Sequence, residues 1–250
     1  MRLKGRTAVI TGAAQGIGLA IAKAMAAEGA NLVLADINED EAKKQAELLT
    51  NEEARSIGIY GNVASVDSIE QMFAAAEEAF GGFDILVNNA GILFSTPIRE
   101  ITEKEWDMVQ SVNLRGVFFC MQKALPYLEK KDHPRIINIS SVAGQMGSYA
   151  SGMSYVASKG GILSLTYGMS RRLAEEGTGI TVNAVCPGTI ETPIIRQWTK
   201  EKISELESRI PVGRLGHAED IATAVVFLAQ DDTDFITGEA ISVNGGMYCG

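Results

Sequence analysis

Tyr155 and Lys159 stand four residues apart in Tyr155-Val156-Ala157-Ser158-Lys159. On a helix this spacing puts a phenol and an ammonium on one face, with Cβ atoms about 5 to 6 Å apart. A phenol ordinarily ionises near pH 10 and is a poor base at neutral pH, whereas a neighbouring cation stabilises the phenolate and draws that pKa toward the working range. The pair is a candidate proton donor and acceptor, although the same spacing also occurs as a solvated pair on surface helices. Ser140-Ser141 closes an apolar run and offers a hydroxyl to a carbonyl or alkoxide oxygen, with strand-end capping as its other reading. Asn113 lies in a long apolar helical stretch, where an amide must find buried partners or kink the helix, a kink that could hold a water. His133 and His217 sit in loop-like contexts and neither makes a convincing base. Cys120, Cys186 and Cys249 are far apart with no Cys-x-x-Cys or Cys/His cluster, so no metal site is expected.

A second constellation precedes these residues. Thr11-Gly12-Ala13-Ala14-Gln15-Gly16-Ile17-Gly18 separates an apolar strand signal from a helical pattern. Backbone N–H groups of such a turn can approach a pyrophosphate, and the dipole of the following helix favours the negative charge. The glycine spacing is not that of a P-loop, which disfavours ATP. Asp36 ends the second strand signal 18 residues after Gly18, close to the ~20 expected for an acid on the adenosine ribose. Its carboxylate would repel a 2′-phosphate, and neither Ala14 nor Gln15 supplies a compensating cation, so NAD is expected over NADP. Asn62-Val63 and Asn89-Ala90-Gly91 follow the third and fourth strand signals, where loops must pack around an adenosine; the latter is also a plain turn signal.

These residues need a scaffold that brings strand ends together. Strand signals at Thr7 to Thr11, Asn31 to Asp36, Arg55 to Gly61, Asp84 to Asn88, Arg135 to Ser140, Ile180 to Val185 and Ala240 to Val243 alternate with helical patterns. Runs such as Leu32-Val33-Leu34-Ala35 lack a period of two, as expected of strands covered on both faces. The expectation is an α/β fold: one Rossmann-like, doubly wound domain over residues 1–250, with seven mostly parallel strands and ligands at their carboxyl ends. With 250 residues and 46% hydrophobic content the chain can bury a large core, and no stretch reaches the ~18 apolar residues of a membrane span. A net charge of −9 without a basic stripe disfavours nucleic acid and anionic membranes as partners. A cytoplasmic location is expected.

Taken in order, these motifs resemble the short-chain dehydrogenase/reductase family over essentially the whole chain, with Cys186-Pro187-Gly188-x-x-x-Thr192 as a further match. The resemblance implies a catalytic tetrad of Asn113, Ser141, Tyr155 and Lys159. It also implies cofactor contacts from Gly12, Gln15, Gly16, Ile17, Gly18, Asp36, Asn62, Val63, Asn89, Ala90, Gly91, Tyr155, Lys159, Pro187, Gly188, Ile190 and Thr192. Val63 would meet the adenine, and Ile190 and Thr192 the nicotinamide end. Reversible hydride transfer between nicotinamide and a secondary alcohol or ketone follows, with Tyr155 moving the proton and Asn113 positioning a water, in a protein that assembles as a homotetramer. Ser141 stands fourteen residues before Tyr155, one more than is common in the family, which places an extra residue in the loop from Gln145 to Met153. The segment Ile194 to Pro211 is expected to form a helical lid, with Trp198 facing substrate.

The C-terminal third, including Val243-Asn244-Gly245-Gly246, is especially similar to 3-oxoacyl-carrier-protein reductases. Those enzymes usually use NADPH and present basic residues to an acidic carrier, the reverse of Gln15, Asp36, Asp132 and Glu176. An NAD-dependent dehydrogenase of a polyol, sugar or other small hydroxy compound is therefore the leading expectation, with 3-oxoacyl-carrier-protein reductase as its alternative. A non-catalytic dinucleotide sensor is a remote third.

Overall fold

Seven strands, β1 (Thr7–Thr11), β2 (Asn31–Asp36), β3 (Ser56–Tyr60), β4 (Ile85–Asn88), β5 (Arg135–Ile139), β6 (Thr181–Pro187) and β7 (Ala240–Val243), form one sheet in the order β3-β2-β1-β4-β5-β6-β7. Every neighbouring pair is parallel. The computed structural model describes residues 1–148, 150–191 and 199–250. Helices α1 (Gly16–Ala27), α2 (Glu39–Leu49), α3 (Val66–Phe80), α4 (Glu103–Gln110), α5 (Gly116–Leu128), α6 (Val142–Met146), α7 (Met153–Glu175), α8 (Lys200–Ser208) and α9 (Ala218–Leu228) fill the connections.

The strands are buried on both faces because alternate residues serve two separate cores. Ala8, Ile10, Leu32, Leu34 and Val87 point toward α1, α2 and α9, where Ile21, Met25, Ile221 and Val225 cover them. Val9, Val33, Leu86, Ile136 and Val182 point the other way, onto Phe73 of α3, Met121 of α5 and Ile162 of α7. Each Val, Leu, Ile, Met or Phe among them contributes about 1.5–3 kcal/mol on full burial. This two-sided demand explains the unbroken apolar runs in the sequence.

Two expectations about element boundaries change. β6 runs on through Pro187, two residues past the expected end, and the Gly188 N–H donates to the Val243 carbonyl at 3.0 Å, which continues the ladder beyond the proline. The single long helix expected around Asn113 is α4 and α5 joined by a π turn, Ser111–Arg115, in which the Gly116 N–H donates to the Ser111 carbonyl. A π turn carries an extra residue and disturbs the i→i−4 ladder.

The amino edge of the sheet is fastened by charge. Arg135, fully buried at the start of β5, donates to the Gln230 carbonyl at 2.8 Å and to Asp234 Oδ1 at 2.5 Å, and Arg6 donates to Asp231 and to the His133 carbonyl. These bonds tie the turn after α9 to the starts of β1 and β5. No described helix is long and apolar enough to cross a membrane.

Candidate active site

The opposite, carboxyl edge gathers the residues singled out above. β1 and β4 are neighbours although five elements separate them in sequence, so the turns that follow them meet across the seam where the chain changes direction. Asn89 holds the seam shut. Its Nδ2 donates to the carbonyls of Thr11 and Gly12, both at 2.9 Å, while Thr11 Oγ1 accepts from the Asn89 and Ala90 N–H groups at 3.0 Å. A Cβ on Gly18 would fall 2.2 Å from the Gly12 carbonyl oxygen, so only glycine lets α1 start this close to β1.

The cradle fits a pyrophosphate. Asn38, Ser65 and Thr102 cap α2, α3 and α4 with side-chain acceptors, but Gln15 gives α1 no side-chain cap and its first turn holds no acid. Gly16, at φ +57°, has open space where a Cβ would stand. The unpartnered N–H groups of a first helical turn are the donors an anion requires. Ile17 is half-buried behind them.

Asp36 braces the turn from β2. Its Oδ2 accepts from the Ala14 N–H and its Oδ1 from the Asn38 N–H, each at 3.0 Å. The carboxylate is thus fixed beside the glycine turn and stays partly exposed. Asn62 Oδ1 accepts from the Ala64 N–H at 3.0 Å, and Val63 is buried against Gly116 of α5. Both organise the loop after β3.

The expected tetrad comes from three elements, the start of α6, α7 and the π turn. Ser141 is the N-cap of α6, its Oγ accepting from the Ala143 N–H at 3.1 Å, and its hydroxyl is near enough to the Tyr155 phenol to favour the phenolate. Lys159 follows Tyr155 by one turn of α7. It is buried, donates through Nζ to the Ile139 carbonyl at the end of β5 at 2.7 Å, and lies 5.6 Å from the Tyr155 ring centre. Asn113, fully buried in the π turn, accepts from the Ile92 N–H at 2.8 Å and donates to the Ile92 carbonyl at 2.9 Å and to Ser158 Oγ at 3.1 Å. Both of its N–H donors are therefore engaged, leaving one lone pair of Oδ1 for any relay. A Cβ on Gly91 would lie 3.4 Å from Asn113 Oδ1 and 3.6 Å from Lys159 Nζ, so the turn after β4 faces the amide and the ammonium together.

The electrostatics differ from the simple expectation that Lys159 draws the phenol pKa down. Burial dominates: it holds Tyr155 above its ordinary value, with the Ser141 hydroxyl acting in the opposite direction, and lowers Lys159 to about 8. Desolvation disfavours the charged form of both groups. Cys186, at the end of β6, is buried with its thiol pushed up to about 11, which marks an inert filler.

The remaining expected contacts lie along β6 and beyond. Pro187 is buried, Gly188 packs against the Asn244 backbone, and Ile190 bridges to Gly216. A cavity of about 380 Å³ opens on this side, lined by Gly188, Ile190, Arg214, Asp220, Ser242 and Asn244 among others, and its described lining includes no member of the tetrad. Thr192, Ile194, Ile195 and Trp198, the expected nicotinamide and lid residues, lie outside the described residues. Gly144 and Ser158 were missed in the sequence. A Cβ on Gly144 would come 2.6 Å from the Lys159 carbonyl carbon, so this glycine sets how closely α6 approaches α7. The signal available was a small residue in each of two short motifs.

Comparison with known proteins agrees with the fold. Residues 12–248 match the family profile described as Enoyl-(Acyl carrier protein) reductase. The chain is 41% identical over 247 residues to the 3-oxoacyl-[acyl-carrier-protein] reductase FabG of Staphylococcus aureus, covering 97% of this chain and 98% of the relative. It is 39% identical over 248 residues to FabG of Escherichia coli, covering 99% of each. A solved structure described as a short-chain dehydrogenase/reductase, glucose/ribitol dehydrogenase, from Brucella melitensis superposes with a TM-score of 0.91 at 39% identity, covering 100% of this chain and 99% of that one.

Proposed function

Since the chain belongs to the short-chain dehydrogenase/reductase family, whose oxidoreductases employ a nicotinamide dinucleotide, we propose that it reduces the 3-oxo group of an acyl thioester to a hydroxyl. The observation that carries this reading is Lys159 Nζ held 5.6 Å from the Tyr155 ring centre, with Ser141 at the start of α6 beside them and an open glycine cradle at the same sheet edge. The near full-length likeness to 3-oxoacyl reductases supports the acyl substrate over the polyol expected from sequence. Exposed Leu93 and Phe94 in the loop after β4, Met146 on α6 and Met153 at the start of α7 support it too, since they offer a chain apolar contacts rather than the polar partners a sugar needs.

The bound dinucleotide supplies the hydride, and its pyrophosphate would be held by Gly12, Gln15, Gly16 and Gly18. Ser141 Oγ holds the substrate oxygen, Tyr155 gives that oxygen its proton, and Lys159 stabilises the phenolate that remains. Asn113 anchors the turn at Ile92. Asp36 favours NADH, because a 2′-phosphate would approach a carboxylate already fixed by two N–H groups. Oxidation of a polyol is the second reading, supported by that carboxylate and by the likeness to the structure described as a glucose/ribitol dehydrogenase.

Turnover of 3-oxoacyl thioesters, on coenzyme A and on carrier protein, is to be compared with polyol oxidation, using both cofactors. We expect kcat/KM at least tenfold higher for a thioester with NADH than for any polyol with NAD. In Tyr155→Phe, NADH binding should persist while the rate falls by about 10²–10⁴. Polyol oxidation outrunning thioester reduction would reverse the order of the two readings, and unchanged turnover in Tyr155→Phe would remove the catalytic assignment.

A further inference from the structure

The Ser158 hydroxyl sits between the two halves of the site. It donates to the Tyr155 carbonyl at 2.7 Å, one turn back along α7, and accepts from Asn113 Nδ2 at 3.1 Å across the gap to the π turn. Asn113 in turn closes a two-bond ring with the Ile92 backbone. A continuous chain of hydrogen bonds therefore runs from the backbone of Tyr155 to the turn that carries Gly91 in front of Lys159. Ser158 and Asn113 are both fully buried, so water cannot replace a lost partner without opening the packing.

We propose that Ser158 is a positioning residue for the proton-transfer couple: its hydroxyl locks the start of α7 to Asn113, and through it fixes the Asn89–Gly91 turn relative to Tyr155 and Lys159. Three features support this role over simple helix packing. The hydroxyl uses both donor and acceptor capacity on named partners, whereas Ser154, one turn earlier and equally buried, leaves its hydroxyl without a partner. The Asn113 partner lies in the π turn, an irregular backbone that needs side-chain bonds to hold its shape. Lys159 directly follows Ser158, so a shift at Ser158 moves the ammonium relative to the phenol.

The inference rests on the reading of Tyr155 and Lys159 as the proton couple, and its test separates the two. Ser158→Ala, Ser158→Cys and Tyr155→Phe are compared with the unmodified enzyme for NADH affinity, kcat, KM and the pH dependence of alcohol oxidation. Losing the lock should lower kcat about tenfold with KM and the NADH Kd within threefold. It should also raise the apparent pKa of oxidation by half a unit or more, because a misplaced ammonium stabilises the phenolate less. Ser158→Cys, of similar size and with a weak S–H donor, should fall between. A Ser158→Ala enzyme with kcat within twofold and an unmoved pKa overturns the role of Ser158. If that variant fails to fold, wild-type kcat and pKa in Ser158→Cys overturn it equally. Retained turnover in Tyr155→Phe would instead bring down the reading of the site on which the inference stands.

Discussion

Lys159 brings a positive charge to a place from which solvent is almost excluded, with the Ile139 carbonyl as its hydrogen-bond acceptor. Burial lowers its pKa from 10.5 to about 8, so at neutral pH the folded protein carries an ammonium that would be better solvated unfolded. The cost is on the order of 2–4 kcal/mol. It is fully present below pH 8, where both states are protonated, and is lost as pH rises from about 8 to 10.5. We therefore expect Lys159→Met to stabilise the cofactor-free protein at pH 7 while abolishing turnover, with the gain shrinking toward pH 10.5. Denaturant unfolding at several pH values measures this, and a variant less stable than the parent at pH 7 refutes it. Tyr155, Lys159, Ser141 and Asn113 were legible because they stand in one ordered set of motifs along the chain, although each alone has an ordinary structural reading. Ser158 and Gly144 were not, since a bridging hydroxyl and a missing methyl acquire meaning only from a neighbour that is remote in sequence.

Among the elements, the approach of α6 to α7 controls the site most directly. Ser141 begins α6 and Tyr155 rides on α7, so the gap between these helices is the gap between hydroxyl and phenol. Gly144→Ala would drive a methyl into the Lys159 backbone, which cannot swing away as a side-chain tip could. Overpacking of this kind costs about 1–3 kcal/mol. The expected result is a lower Tm together with a kcat loss of tenfold or more, and unchanged activity would show that the helices separate without disturbing Ser141. Strand positions could be read from apolar runs to within two residues. The π turn could not, because no residue type marks it. Asn113 raised the question of a kink, and only the bonds to Ile92 and Ser158 answer it.

At the scale of the molecule, β7 is one of the two outer strands of the sheet, and Phe235, shortly before it, is fully exposed. The expected homo-oligomer would cover this edge, since an open strand edge beside a bare aromatic ring invites pairing. We expect Phe235→Asp to lower the assembly state seen by sedimentation, and an unaltered state would place the interface elsewhere. The parallel, doubly wound plan was legible from the alternation of runs and helices. The order of strands on the two sides of β1 follows from that plan only by the rules of right-handed connection. That order also has a temporal meaning. β1, β2 and β3 are made before β4, yet the glycine turn gains its Asn89 braces only when β4 docks against β1, a contact between distant parts of the chain and hence a slow one to form. A nascent chain of the first sixty residues holds every glycine of the cradle and no finished cradle. A finished cradle thus exists only once the two half-sheets have joined, which ties dinucleotide binding to the closing of the β1–β4 seam.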